Sequence, residues 1–311
     1  MRILITGGAG FLGSHLARKL LAEHHEIVCI DNLYTGRMKN IEDLISNQRF
    51  RFIQHDVQDP INLEVEGIFN LACPASPIHY QKDPVRTLRT NVLGAINVLD
   101  LAHKNNARVL QASTSEVYGD PKVSPQDETY WGNVNPIGIR SCYDEGKRAA
   151  ETLFSDYHRQ YETDTRIARI FNTYGPGMAS NDGRVVSNLI CQAIKNEPLS
   201  IYGDGSQSRS FCYVSDLIDG LISLFFKEDL HTPVNLGNAS PRTMNNLASE
   251  IIRISESSSV IKFDKLPKDD PLTREPDITE AGTKLNWKPK IDLEEGLTRT
   301  IRYFRDELLE K

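Results

Sequence analysis

Cysteine is scarce in this 311-residue sequence. Its five cysteines, Cys29, Cys73, Cys142, Cys191 and Cys212, are scattered, with no CxxC and no Cys/His cluster at zinc spacing. An odd, dispersed set argues against a disulfide framework and a structural metal, so no metal is expected. No apolar run reaches 18 residues and no signal or transit segment is legible, so no membrane partner is expected. Positive charge is not in excess. Lys and Arg number 36 against 42 Asp and Glu, a net charge of −6, which speaks against nucleic acid as a partner. Internal repeats and low-complexity tracts are absent, and 39% hydrophobic with 25% charged residues excludes wholesale disorder. The expectation is a soluble protein of the reducing cytoplasm.

What is present is alternation. Residues 2–6 form a short apolar run that ends in glycines. From 11 to 22, Phe11, Leu12, Leu16, Leu20 and Leu21 recur at helical spacing, and a second apolar run at 26–30 ends at Asp31. Further strands are predicted at 51–54, 67–71, 108–112 and 166–170, alternating with helices at 84–104 and 141–161. This is the pattern of an α/β protein with a doubly wound, parallel Rossmann sheet. After Phe171 the texture changes. Residues 172–182 and 202–209 are polar glycine loops, 211–226 reads as a strand and an apolar helix, and 234–237 is strand-like. A charged, proline-bearing stretch follows at 266–276, and a last helix at 293–309.

The first turn is Thr6-Gly7-Gly8-Ala9-Gly10-Phe11-Leu12-Gly13, which satisfies both GxxGxxG and GxGxxG. Between a strand and a helix, such glycines let backbone approach a pyrophosphate, and the helix N-terminus offers free N–H groups to it. Asp31, 18 residues beyond Gly13 at a strand end, can accept hydrogen bonds from both hydroxyls of an adenosine ribose and repels a 2′-phosphate. NAD is therefore the expected cofactor, in preference to NADP. Asp56 and Val57, after the next strand, are placed by topology to meet the adenine. The domain expectation is an NAD-binding unit of residues 1–171 plus about 211–238. A smaller, interleaved C-terminal substrate domain takes 172–210 plus about 239–311.

Tyr143-Asp144-Glu145-Gly146-Lys147 is YxxxK, and residues four apart share a helix face. An ammonium near a phenol stabilises the phenolate, and the positive nicotinamide adds to that, so the Tyr143 pKa is expected to fall and the residue to serve as a base toward a sugar or alcohol hydroxyl. Ser113-Thr114-Ser115-Glu116-Val117-Tyr118-Gly119 closes a central strand, at the end where doubly wound sheets bind ligands. A hydroxyl there completes a Thr/Tyr/Lys triad.

These motifs resemble the extended short-chain dehydrogenase/reductase family and, within it, the UDP-glucuronate decarboxylases, or UDP-xylose synthases. The likeness extends to Cys73-Pro74-Ala75-Ser76-Pro77, Asn135-Pro136-Ile137-Gly138, Asn172-Thr173-Tyr174-Gly175-Pro176, Asp182 to Asn188, and Tyr202 to Gln207 with Arg209. The resemblance implies oxidation at C4 of the glucuronate, loss of CO2 from the 4-keto sugar, and return of the hydride, giving UDP-xylose. It assigns Tyr143 as base, Lys147 as its partner and Thr114 to the C4 oxygen. It sets Ser115 and Glu116 near C5 and C6, and Arg274 near the acid.

For the cofactor the resemblance implies Gly7, Gly10, Phe11, Leu12, Gly13, Asp31, Asn32, Tyr34, Thr35, Gly36, Asp56, Val57, Leu71, Ala72, Thr90, Ala112, Tyr143, Lys147, Thr173 and Arg184. For the UDP-sugar it implies Tyr80, Arg89, Asn172, Arg184, Val186, Tyr202, Gln207, Arg209 and Arg274. One departure is Gly177, where relatives commonly carry arginine. A homodimer is implied through a helix bundle built on 84–104 and 141–161, whose apolar positions include Val92, Ile96, Val98, Leu153 and Phe154. Two other readings stand beside decarboxylation. One is 4-epimerisation or 4,6-dehydration of a UDP-sugar on the same scaffold. The other is a dinucleotide-sensing binding protein, which would not be expected to keep both Tyr143 and Lys147.

Overall fold

A computed structural model describes residues 1–265 and 273–309. Of the charged stretch expected at 266–276, residues 266–272 lie outside the described residues. The first half alternates strands and helices. It runs β1 (Arg2–Thr6), α1 (Phe11–Ala22), β2 (Glu26–Asp31), β3 (Phe50–Gln54), β4 (Gly67–Asn70), α2 (Pro77–Tyr80), α3 (Pro84–Asn105), β5 (Arg108–Thr114), α4 (Ser141–Tyr161) and β6 (Thr165–Ile170). The second half contributes β7 (Thr173–Tyr174), α5 (Val185–Ile194), β8 (Leu199–Tyr202), β9 (Ser208–Ser210), β10 (Cys212–Tyr213), α6 (Val214–Phe226) and β11 (Pro233–Leu236). It ends with β12 (Pro241–Thr243), α7 (Met244–Ser255), β13 (Ile261–Asp264), β14 (Thr273–Arg274), α8 (Thr279–Leu285) and α9 (Leu293–Leu309).

Seven strands form one parallel sheet in the order β11-β6-β5-β4-β1-β2-β3. The chain winds outward from β1 in one direction and then from β4 in the other, so a crevice opens between their C-terminal ends. The central strands β1, β2 and β4 are largely apolar because both faces of the sheet are covered. Ile3 and Ile5 join the core beneath α1 and α6, while Leu4 joins the opposite core beneath α3 and α4. Helix α3 begins where Asp83 accepts a hydrogen bond from the Arg86 amide at 3.0 Å with Pro84 behind it, and ends at Asn106 in the left-handed region.

The polar loops of the second half hide more structure than their composition suggests. Helix α5 lacks a side-chain cap and an acid in its first turn, so nothing in the sequence marks its start. Helix α7 starts at Thr243, whose hydroxyl accepts from the Asn246 amide at 3.1 Å. Strand β9 pairs with β12 and, on its other side, with β14, which puts Arg274 in register with Arg209. Sequence spacing could not reveal that juxtaposition. The C-terminal part is tied to α6 through Asp216. Its carbonyl accepts the Trp287 indole N–H at 2.9 Å, and its carboxylate accepts the amides of Lys290 and Ile291.

Phe225 of α6 is fully buried and stacks on Phe69 of β4, with ring centroids 4.3 Å apart. Phe225→Ala is expected to cost about 3–5 kcal/mol of unfolding free energy. Urea unfolding followed by circular dichroism checks this, and a loss below 1 kcal/mol would mean the two layers are not joined through this ring.

Candidate active site

A cleft of about 910 Å3 runs along the C-terminal edge of the sheet. Its first wall is the turn between β1 and α1. Gly7 sits at φ +67°, and a Cβ on Gly13 would come within 2.3 Å of the Gly7 carbonyl oxygen, so only glycine permits this close turn. The cap of α1 is Gly10, with no side-chain hydrogen bond, which leaves the first-turn amides facing the cleft. Asp31 closes the far side, nearly buried. It accepts from the amides of Ala9 at 3.1 Å and Leu33 at 2.8 Å. Burial pushes its pKa up and those two amides oppose the shift. A Cβ on Gly36 would strike the Asp31 carboxylate at 2.6 Å. A cradle with no side chains in it, a helix N-terminus and a lone carboxylate fit the pyrophosphate and ribose of a dinucleotide.

The other expected cofactor residues line the same wall in part. Phe11, Leu12, Asn32, Tyr34, Thr35, Val57, Leu71, Ala72, Thr90, Ala112, Thr173 and Arg184 all face the cleft. Thr6 sits behind them, and its hydroxyl oxygen accepts the amides of Leu71 and Ala72 at 3.1 Å. Asp56 does not line the cleft. Its carboxylate is turned to Asn32, Arg86 and the Gln58 amide, and His55 and Val57 form the wall instead. Arg89 is also outside. Thr90 and Arg86 occupy the cleft side of α3, and residue 89, rotated about 100° from 90, points to Gln58 at 3.0 Å. At Gly177, Arg37 donates to the carbonyls of residues 177 and 178, at 3.0 and 3.2 Å, so an arginine still occupies that corner.

The centre of the cleft is built by β5 and α4. Lys147 is buried, and its Nζ donates to the Ala112 carbonyl at 2.8 Å and lies 5.7 Å from the Tyr143 ring centroid. Burial lowers the Lys147 pKa. Tyr143 is stacked on Tyr80 with centroids 5.0 Å apart and is hydrogen-bonded by Thr114. Its pKa lies well above the ordinary tyrosine value. Burial is the main cause, Cys73 and Glu116 add to it, and the Thr114 hydrogen bond is too weak an opposition. The expected fall counts on the positive nicotinamide as well as Lys147; in the protein alone, burial dominates and sets the opposite direction.

Glu116 is gripped from two sides. Arg274 reaches it with both terminal nitrogens, Nη2 at 3.0 Å, and Arg140 donates to Oε2 at 2.7 Å. Burial would raise the Glu116 pKa, but Arg274 and then Arg140 outweigh it and hold the carboxyl below its usual range. Glu116 is therefore a fixed anion. Asp144, one residue past Tyr143, is pushed the other way by burial and by Glu116. Arg140 was not anticipated, although its place three residues before Tyr143 on the same helix face was a readable signal. Ser115 lines the cleft beside Glu116. Across from it stand Tyr80, Asn172, Val186, Tyr202, Gln207 and Arg209, whose Nη1 donates to the Ser208 carbonyl at 2.9 Å. Arg184 pairs with Asp182 and lies 5.7 Å from the Phe11 ring. Among the described residues, no cluster of His, Cys, Asp and Glu could hold a metal, and no helix is long and apolar enough to cross a membrane.

The sheet, the glycine cradle and the Tyr143–Lys147 pair define a dinucleotide-binding protein of the doubly wound class. The chain belongs to the NAD dependent epimerase/dehydratase family, which matches residues 3–237. It is 56% identical over 309 residues to UDP-glucuronic acid decarboxylase 1 of Arabidopsis thaliana, spanning 99% of this chain and 71% of that one. It is 53% identical over 307 residues to UDP-glucuronic acid decarboxylase 1 of Danio rerio, spanning 99% and 73%. Among solved structures it is similar to UDP-glucuronic acid 4-epimerase from Bacillus cereus in complex with UDP-glucuronic acid and NAD. That similarity is 28% in sequence, with a TM-score of 0.88, over 99% of this chain and 100% of the other.

Because Glu116 titrates lower folded than unfolded, its pairing adds stability above the ordinary glutamate range near pH ~4.3. That stability disappears as pH falls through the folded value. Glu116→Gln leaves two arginines without their anion and is expected to cost about 3–5 kcal/mol at pH 7. It should also flatten the decline of stability below pH ~5. Urea midpoints measured from pH 7 to 3 check both, and parallel curves for the two proteins would contradict the assignment.

Proposed function

We propose that the chain decarboxylates UDP-glucuronate to UDP-xylose, with NAD as a cofactor that is regenerated in each cycle. The observation that carries this is the 52–56% identity to UDP-glucuronic acid decarboxylases over almost the entire chain. The similarity to the 4-epimerase is half as large. When bound, NAD supplies a reversible acceptor for the C4 hydrogen and its electron pair. The glycine cradle and Asp31 would hold it, with Lys147 at the ribose.

In this reading Tyr143 takes the proton from the C4 hydroxyl, and Thr114 holds the C4 oxygen. The carboxylate of the 4-keto sugar is β to the ketone. Loss of CO2 therefore leaves its electron pair in a C4 enolate, where the Tyr143 and Thr114 hydroxyls are already aimed. Protonation at C5 follows, with the proton drawn from solvent water, and Tyr143 returns its own proton to the C4 oxygen when the alcohol is re-formed. Glu116 is held as an anion by Arg274 and Arg140. It fixes Arg274 at the sugar end of the cleft, with Ser115 beside it. Arg184, Arg209, Asn172, Val186, Tyr202 and Gln207 take the UDP side, where bidentate arginines suit phosphate.

The proposal extends to the division of labour in the chain. Residues 1–171 with about 211–238 bind the cofactor, and 172–210 with about 239–311 bind the nucleotide sugar. A cytoplasmic homodimer through α3 and α4 belongs to the same reading. Val98 and Phe154 are buried against the sheet, so the interface would use the outer face, where Leu88 is exposed.

Incubation with UDP-glucuronate and no added reductant should give UDP-xylose and CO2, identified by NMR. A 4-epimer that retains its carboxylate would overturn the reading in favour of epimerisation. Tyr143→Phe should lower turnover by about 10²–10⁴-fold while NAD binding, read by fluorescence, persists. Unimpaired turnover in that variant would remove the base.

A further inference from the structure

Arg274 reaches the cleft from a two-residue strand outside the seven-stranded sheet. Two pairs with β9 are too few to fix a buried guanidinium. The segment behind it is held by a different residue. Gln126 is fully buried and does not line the cleft. Its amide donates to the Glu275 carbonyl at 2.8 Å, and its carbonyl accepts the Asp277 amide at 2.8 Å. Its side chain repeats the grip. Oε1 accepts the Glu275 amide at 3.0 Å, and Nε2 donates to the Val123 carbonyl at 2.7 Å. Asn235 then staples both strands, donating to the carbonyls of Gln126 and Asp277 at 3.0 Å, while its own oxygen accepts from Tyr118 at 2.8 Å.

We propose that Gln126 is a positioning residue that docks residues 274–277 and thereby sets Arg274 against Glu116. Every hydrogen-bonding group of Gln126 is committed to this clamp or to the loop beneath it, and one of its partners is the residue next to Arg274. The Arg274 guanidinium is buried, and its Nε has no hydrogen-bond partner among the described residues, so its own side chain adds few anchors beyond Glu116. The backbone that delivers it must therefore supply the order. The catalytic consequence rests on the decarboxylase reading above, whereas the placement of Arg274 does not.

The test separates the two. In protein labelled with [15N]arginine, the Arg274 Nε–H signal is assigned by its loss in Arg274→Lys, and its hydrogen exchange is measured. Gln126→Met, which keeps volume but has no acceptor for the Glu275 amide, should speed that exchange about tenfold or more. Unchanged exchange overturns the proposal. Should that variant not fold, Gln126→Asn, one methylene too short to reach, is read in the same way. Kinetics give the second arm. Gln126→Met should lower kcat/KM for UDP-glucuronate about tenfold in the wild-type background and have no further effect in Arg274→Ala. Additive losses would make Gln126 merely structural and overturn its positioning role. A wild-type protein that releases no CO2 would instead refute the decarboxylase reading and leave the exchange result standing.

Discussion

A phenol and an ammonium, both withdrawn from water, sit together at the edge of a parallel sheet, and burial works against the charged form of each. The Tyr143 phenolate and the Lys147 ammonium are each disfavoured by the same loss of solvent. What keeps Lys147 in place is the Ala112 carbonyl, two residues before the end of β5. The protein alone therefore presents Tyr143 as a neutral donor. A base at this position needs an additional positive charge beside it. The cleft is shaped to receive one, because the glycine cradle and Asp31 direct a dinucleotide toward the same strand ends.

The sugar end of the cleft follows a complementary rule. There a carboxylate is kept ionised in a buried place by two arginines from distant parts of the chain. Breaking such a triad costs far more than forming it gains, so its value is specification of geometry. Arg140 starts the helix that carries Tyr143, and Arg274 lies in register with Arg209. The triad thus links the phenol to the arginines of the second half. The two ion pairs tie the start of α4 to β14 across the cleft.

The fold was legible in sequence wherever a strong local signal met a regular period. The β1–glycine–α1–β2 unit, the helix over 141–161 and the strand at 166–170 all carry such signals, and the structure reproduces them to within a residue or two. In the second half, α6 and α9 were legible at 211–226 and 293–309, whereas α5, α7 and α8 were not. Uncapped α5 begins next to a glycine loop, and the loop's composition masked it. Within the site, Asp31, Thr114, Tyr143 and Lys147 stand at strand ends or helix spacings that predict a shared crevice. Arg89, one helical position from Thr90, turns to Gln58 and not to the cleft, which sequence alone does not reveal. Spacing reports the proximity of Lys147 to Tyr143 but says nothing about desolvation, which raises the phenol's pKa in the protein alone. The pairing of Arg274 with Glu116, and the role of Gln126 behind it, depend on contacts more than 140 residues apart in sequence.

The central claim is that Tyr143 is neutral in the protein alone and ionises only when a positively charged partner occupies the cleft. Ultraviolet difference titration of tyrosinate, comparing wild type with Tyr143→Phe in the absence and presence of NAD, tests it directly. No difference band is expected below pH ~10 without NAD, and a band at markedly lower pH is expected once NAD is bound. Titration curves that NAD leaves unchanged would contradict it.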